Sequence, residues 1–330
     1  MRAPVISGVL TNAALFLGGL LGLYLGADWL VKGAARMARR LGTRPVVIGL
    51  TIVAFGSSAP ELLVGVVASA RAQTDVVLGN VIGSNILNIA LILGVAAIVK
   101  PMKVGLRLLG REAPLMVFVS VVVAVMMLDG VLGRFDAITL SAGFVGFLWF
   151  VLRSAEEEPG HVVAEYAQFE RSERGSTTGP RWKDVVLIVA GLTLLIAGAH
   201  LLVTSAVFFA RLLGVSEVVI GLTVVAIGTS LPELATCVVA AYRSEPDIAL
   251  GNAIGSNIFN LLSILAISAL IRPIPVDGGL LRFEIPAMLL FAVLLVPLAW
   301  RGRILGRVSG SVLVGGYVLF TTMLLIRVTG

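Results

Sequence analysis

The sequence predicts an all-α integral membrane protein. It reads as ten transmembrane helices in two inverted five-helix repeats, broken at two copies of one motif. Three observations carry this reading. The 330-residue chain is 58% hydrophobic and 13% charged, with a mean hydropathy of +1.03, where a soluble domain carries about a quarter charged residues. Its apolar residues fall into about ten long runs, the pattern of a chain that crosses a bilayer many times. Its two halves repeat one another at a constant offset of 172 positions.

The runs lie near 8–31, 45–70, 76–99, 113–129, 135–152, 184–210, 216–241, 248–271, 284–300 and 308–326. Helices are the spanning element, because backbone groups in lipid must pair within their own segment, and the alternating pattern of an outer-membrane strand is absent. Pro101, Pro114, Pro246 and Pro273 fall at or near the edges of the runs. The first run is followed at once by others, so it reads as a span and not as a cleaved signal.

The formal charge of +6 does not point to nucleic acid. The basic residues are dispersed between the apolar runs, the usual membrane pattern. With the N-terminus outside, 18 of the 25 Lys and Arg fall on the inner side, which predicts a multi-pass protein of the cell membrane with both termini outside. The polar stretch 154–182 reads as a cytoplasmic linker between halves at 1–153 and 183–330. Its run Glu156, Glu157, Glu158 reads as solvated charge. His161 and His200 have no partner at metal-ligand spacing. The single cysteine, Cys237, excludes a disulfide framework or thiolate cluster and reads as a small apolar residue in a helix.

The repeat is close over its informative part. VVIGLT at 46–51 recurs at 218–223, GSSAPEL at 56–62 meets GTSLPEL at 228–234, Asp75 meets Asp247, and GNVIGSNILN at 79–88 meets GNAIGSNIFN at 251–260. Five spans per half is an odd number, so the halves must be inverted in the membrane. Inverted repeats interrupted at matching positions point to a transport site near the midplane.

Each copy of GSSAPE is built to interrupt a helix. Pro60 removes a backbone donor and Gly56 adds freedom, so the helix should kink or unwind and free carbonyls near Ala54, Ser57 and Ser58. Glu61 follows within a turn, and a carboxylate at that depth needs a cation, a proton or a donor. Carbonyls, hydroxyls and a carboxylate are hard ligands that suit Ca²⁺, Na⁺ and related cations. Pro232, Ala226, Thr229, Ser230 and Glu233 repeat the set. In the second motif Asn80, Ser84, Asn85 and Asn88 are polar, with Ser84 and Asn88 on one helical face. Gly79 and Gly83, repeated as Gly251 and Gly255, allow close helix approach. Ser256 and Asn260 are the copies of Ser84 and Asn88.

The two motifs, in two copies, resemble the α1 and α2 repeats of the cation/Ca²⁺ antiporter superfamily, in its prokaryotic Na⁺/Ca²⁺ exchanger-like branch. The likeness is tightest over about 42–100 and 214–272 and extends over the ten-span layout. It implies a secondary transporter, not an enzyme, exchanging Ca²⁺ for Na⁺ by alternating access, with the first two spans of each half sliding. It further implies Glu61 and Glu233 as central Ca²⁺ ligands, completed by the carbonyls of Ser57 and Thr229. Ala54, Ser58, Ser84, Ala226, Ser230 and Ser256 would form flanking Na⁺ sites, with Asn88 and Asn260 in the middle position. Some members carry Asp in place of Asn260. Two Asn residues here leave two acids at the centre, and Ca²⁺ or another divalent cation against H⁺ is the alternative. The partners expected are the transported ions and the bilayer. No prosthetic group, nucleic acid, protein partner or Ca²⁺-sensing domain is implied.

Overall fold

The computed structural model describes residues 2–156, 182–214 and 226–329. Of the predicted linker, residues 157–181 lie outside the described residues, as does the second VVIGLT, at 218–223. Eight of the described helices are long and apolar enough to cross a membrane, and the pair Pro45–Ser57 and Ala59–Ala70, bent by 47°, makes a ninth if taken as one span. A shorter apolar helix, Leu231–Tyr242, holds the LPEL end of the second copy of the first motif.

The first helix runs Arg2–Leu41, about ten residues beyond the apolar run that predicts it. Its extension is basic, and the charges find partners. Lys32 pairs with Asp28 at 2.7 Å, Arg243 also pairs with Asp28, Arg40 pairs with the buried Asp184 at 2.8 Å, and Arg39 with Glu245 at 3.5 Å. The three pairs that leave the first helix fasten it to Trp182–Leu212 and to the C-terminal end of Leu231–Tyr242. The repeat offset carries them onto Arg71 with His200, Arg211 with Gln73, and Leu212 with Asn12. None of these joins opposite charges, so the equivalent residues do not repeat this fastening.

Helices Arg2–Leu41 and Trp182–Leu212 lie against one another along most of their lengths. A Cβ added to Gly19 would meet Gly198 O at 2.8 Å, one on Gly26 would meet Gly191 O at 2.8 Å, and one on Gly33 would meet Asp184 O at 2.9 Å. Partner numbers fall as the first helix rises, so the two run antiparallel. Gly19 and Gly191 are repeat equivalents, as are Gly26 and Gly198, so the two contacts exchange under the 172-residue offset. Without a hydrophobic drive between helices in lipid, such close backbone approach is a main source of association. Gly251 and Gly255 do the same against Pro45–Ser57, where added Cβ atoms would meet Val46 O at 2.8 Å and Leu50 O at 2.7 Å.

Two short antiparallel ladders clip the loops. Met102 and Lys103 pair with Leu305 and Ile304, and Val131 and Leu132 pair with Pro275 and Ile274. They flank the two ends of the span Leu108–Asp129, one at each end. The offset carries 102–103 onto 274–275, and 131–132 to within one residue of 304–305. The spans Thr74–Val99 and Pro246–Ile271 are the most buried, at 78% and 83% of their most apolar windows. They therefore form the centre of the bundle, and they carry the second motif.

Gly191→Ala is expected to destabilise the chain by about 1–3 kcal/mol through forced separation of two backbones, because its Cβ would lie 2.6 Å from Leu30 N. Gly18→Ala, with nothing within 4 Å of the added atom, should keep stability or raise it by up to about 1 kcal/mol, the helix preference of Ala over Gly. Thermal unfolding of both variants in detergent measures the difference.

Candidate functional site

Both copies of the first motif break the helix at a serine. Ser58 has φ −83° and ψ 9°, and Ser230 has φ −93° and ψ 10°. A new helix starts at the following residue, Ala59 or Leu231. Pro60 and Pro232 occupy its second position, where a missing N–H costs nothing and the fixed φ suits the first turn. Glu61 and Glu233 are therefore first-turn residues, where the unpaired N–H groups and the helix dipole favour negative charge. Of the two outcomes the sequence suggests, kinking or unwinding, the first copy shows the kink, 47° between Pro45–Ser57 and Ala59–Ala70, and little unwinding. Ser58 N still donates to Ala54 O at 3.0 Å, and Leu62 N to Ser58 O at 3.1 Å. The proline opens a second helix and does not strip the first, so fewer carbonyls are released than expected.

The two acids are held by the opposite halves. Ser58 Oγ donates to Glu233 Oε1 at 2.9 Å, and Ser230 Oγ donates to Glu61 Oε1 at 2.9 Å. Ser58 and Ser230 are equivalents, as are Glu61 and Glu233, so one bond becomes the other under the repeat offset. All four residues are at most 1% exposed. Ser230 Oγ also lies 3.4 Å from Ser84 Oγ, which brings the second motif into the site. Asn80 Nδ2 donates to the backbone carbonyl of Glu61 at 3.3 Å. Ser57 Oγ donates to Asn252 Oδ1 at 3.1 Å.

The second motif contributes two further features. Asn88 opens a wide π-helical turn over Asn88–Leu93, and Asn260 opens another over Asn260–Ile264. Such turns inside α-helices are rare and frequent at functional sites. Six side-chain atoms around these positions are buried with no hydrogen-bond partner in the protein: Glu61 Oε2, Glu233 Oε2, Asn88 Oδ1, both polar atoms of Asn260, and Ser256 Oγ. Burying a polar atom without a partner is costly, and an unsatisfied cluster needs a physical reason. Five of the six can offer an oxygen to a cation. Among the described residues no group of three or more His, Cys, Asp or Glu is placed to hold a metal, so the negative charge of the centre comes from Glu61 and Glu233.

The residues singled out from the sequence thus fall into one region. Ala54, Ser57 and Ser58 lie at the first break and are buried. Ala226 and Thr229 bound the short helix before the second break, with Ser230 at the break itself. Ser84, Asn88, Ser256 and Asn260 are all buried on the two central helices. Asn252 and Asn257 stand out only in the structure, although both are copies of Asn80 and Asn85 in the motif. Cys237 is more than a spacer: Sγ donates to Ala249 O at 3.3 Å and accepts from Asn252 Nδ2 at 3.4 Å.

Two half-helices that present carboxylates to each other inside an apolar bundle, ringed by hydroxyl and amide oxygens, define a membrane transporter of hard cations. The chain belongs to the sodium/calcium exchanger family, whose model, described as sodium/calcium exchanger protein, matches residues 11–153 and 183–326. It is 38% identical over 324 residues to the inner membrane protein YrbG of Escherichia coli, covering 96% of this chain and 97% of that one. It is 35% identical over 346 residues to the sodium/calcium exchanger MaX1 of Methanosarcina acetivorans, covering 96% and 99%. Among solved structures, the sodium-calcium exchanger NCX_Mj superposes with a TM-score of 0.82 at 32% identity, covering 96% of this chain and 99% of that one. The protein is accordingly a multi-pass membrane antiporter for Ca²⁺ exchange, a transporter and not an enzyme.

Ser58→Ala and Ser230→Ala each remove the donor to one buried glutamate. Each is expected to destabilise the folded chain by about 1–3 kcal/mol, and by similar amounts because the bonds are equivalent. Heat denaturation of the two variants side by side tests this, and a large disparity would break the equivalence.

Proposed function

We propose that the chain exchanges Ca²⁺ for Na⁺ by alternating access, Ca²⁺ moving outward and Na⁺ inward across the cell membrane. In this reading the full chain has ten spans in two inverted repeats, 1–153 and 183–330, joined by a cytoplasmic linker at 154–182, with both termini outside. Glu61 and Glu233 are the central Ca²⁺ ligands, and their two charges balance one Ca²⁺. Carbonyls of Ser57 and Thr229 complete that site. Ala54, Ser58, Ser84, Ala226, Ser230 and Ser256 form flanking Na⁺ sites, and Asn88 and Asn260 stand between them. Na⁺ and Ca²⁺ compete for the same two carboxylates, which links the two fluxes.

The observation that carries this reading is the pair of buried glutamates, each with one oxygen held by a serine of the other half and one oxygen unpartnered. A structural ion pair would have filled the second oxygen with a cationic side chain. The antiparallel contact of Arg2–Leu41 with Trp182–Leu212 supports the inverted arrangement. The ladders at the two ends of Leu108–Asp129 support the placing of 102–103 with 304–305 on one side and 131–132 with 274–275 on the other. The printed names of MaX1 and NCX_Mj support Na⁺ as the coupling ion.

The test is Ca²⁺ uptake into vesicles holding the purified chain, with Na⁺ and pH gradients imposed separately. An opposing Na⁺ gradient should drive uptake and a pH gradient alone should not. Uptake driven by protons without Na⁺ would replace Na⁺ by H⁺ as the coupling ion, and flux with no counter-transport would point to a channel. Glu61→Gln and Glu233→Gln should each lower uptake by more than the roughly 100-fold that loss of a ligand's supporting partner reaches.

A further inference from the structure

The middle position of the site is occupied by two amides, and an amide can present either face to a cation. Its oxygen is a ligand, while its NH₂ carries two donors and repels positive charge. What fixes the face is the partner of the other end. For Asn88 that partner is Asn257: Asn88 Nδ2 donates to Asn257 Oδ1 at 3.0 Å. Asn257 is itself fixed, because its Nδ2 donates to the backbone carbonyl of Asn85 at 3.1 Å and lies 3.7 Å from Met116 Sδ. Both asparagines are at most 2% exposed. With its NH₂ engaged, Asn88 keeps Oδ1 buried and without a protein partner. The repeat equivalent does not reproduce this. Asn85, the copy of Asn257, places its Nδ2 3.8 Å from Met288 Sδ, and both polar atoms of Asn260, the copy of Asn88, have no partner.

We propose that Asn257 is a positioning residue for cation binding: it holds the NH₂ of Asn88 so that the amide oxygen faces the transported ion. Asn257 acts through Asn88, and it makes the two middle positions unequal, with Asn88 oriented in advance and Asn260 free to turn. This rests on the proposed role of Asn88 as a ligand in the middle of the site.

The test is a double-mutant cycle on the full chain in detergent, with Ca²⁺ affinity read by calorimetric titration and folding read by melting temperature. Asn88→Ala and Asn257→Ala are each expected to weaken Ca²⁺ binding about tenfold or more, the range seen when the partner of a metal ligand is removed. The double variant should bind no more weakly than Asn88→Ala alone, since residues that act as one unit are not additive. Asn257→Asp keeps an acceptor for the Asn88 NH₂ and, with its buried carboxyl protonated, a donor to Asn85 O, and should show no such loss. It also keeps the test informative where Asn257→Ala fails to fold. Additive losses in the double variant, or a tenfold loss in a folded Asn257→Asp, would overturn the assignment while leaving Asn88 a ligand. Unchanged affinity in Asn88→Ala would overturn both the ligand role and this inference.

Discussion

The site depends on a swap: each half lends a serine hydroxyl to the other half's glutamate. A carboxylate in an apolar bundle is expensive, and one hydrogen bond does not remove that cost. It does fix one oxygen in place, so that the other is presented in a defined direction. Because the donor comes from the opposite half, the two helix breaks must meet face to face, and the packing around them serves that meeting. Close glycine contacts draw the first helices of the two halves together, and Gly251 with Gly255 bring a central helix against the broken one. A side chain at any of these points would force the paired helices apart.

The helix restart explains why proline and glutamate travel together. A proline in a helix interior costs about 3 kcal/mol or more, but in a first turn it is tolerated. Placing Glu one residue after Pro puts the acid in that turn, where the free N–H groups oppose its charge. Serine, proline and glutamate thus end one helix, start another and set the acid in its first turn. The wide turns that open at Asn88 and Asn260 do a related job on the neighbouring helices.

Much of this was legible in the sequence, because the repeat supplied a second reading of every position. A lone Glu61 behind a proline would have been an oddity, and its copy at Glu233 made a site. Eight spans, or nine with the bent pair, were legible from hydropathy among the described residues, except where charge decided their ends. The first helix runs past its apolar stretch because Lys32, Arg39 and Arg40 meet Asp28, Glu245 and Asp184, and such partners are distant in sequence. The freed carbonyls were overestimated, since composition cannot distinguish a proline that unwinds a helix from one that begins the next. Asn252 and Asn257 were hidden for another reason. Their roles are set by which atom meets which across the two halves, and periodicity carries no such information.

The swap has a consequence for what counts as a working unit. Each half carries both a donor and an acceptor, but they are aimed away from each other, so no half can satisfy its own acid. What completes each acid is the serine of the other half. Within one chain the two halves need not stay identical, and Asn88 and Asn260, alike in identity and unlike in surroundings, are where they differ.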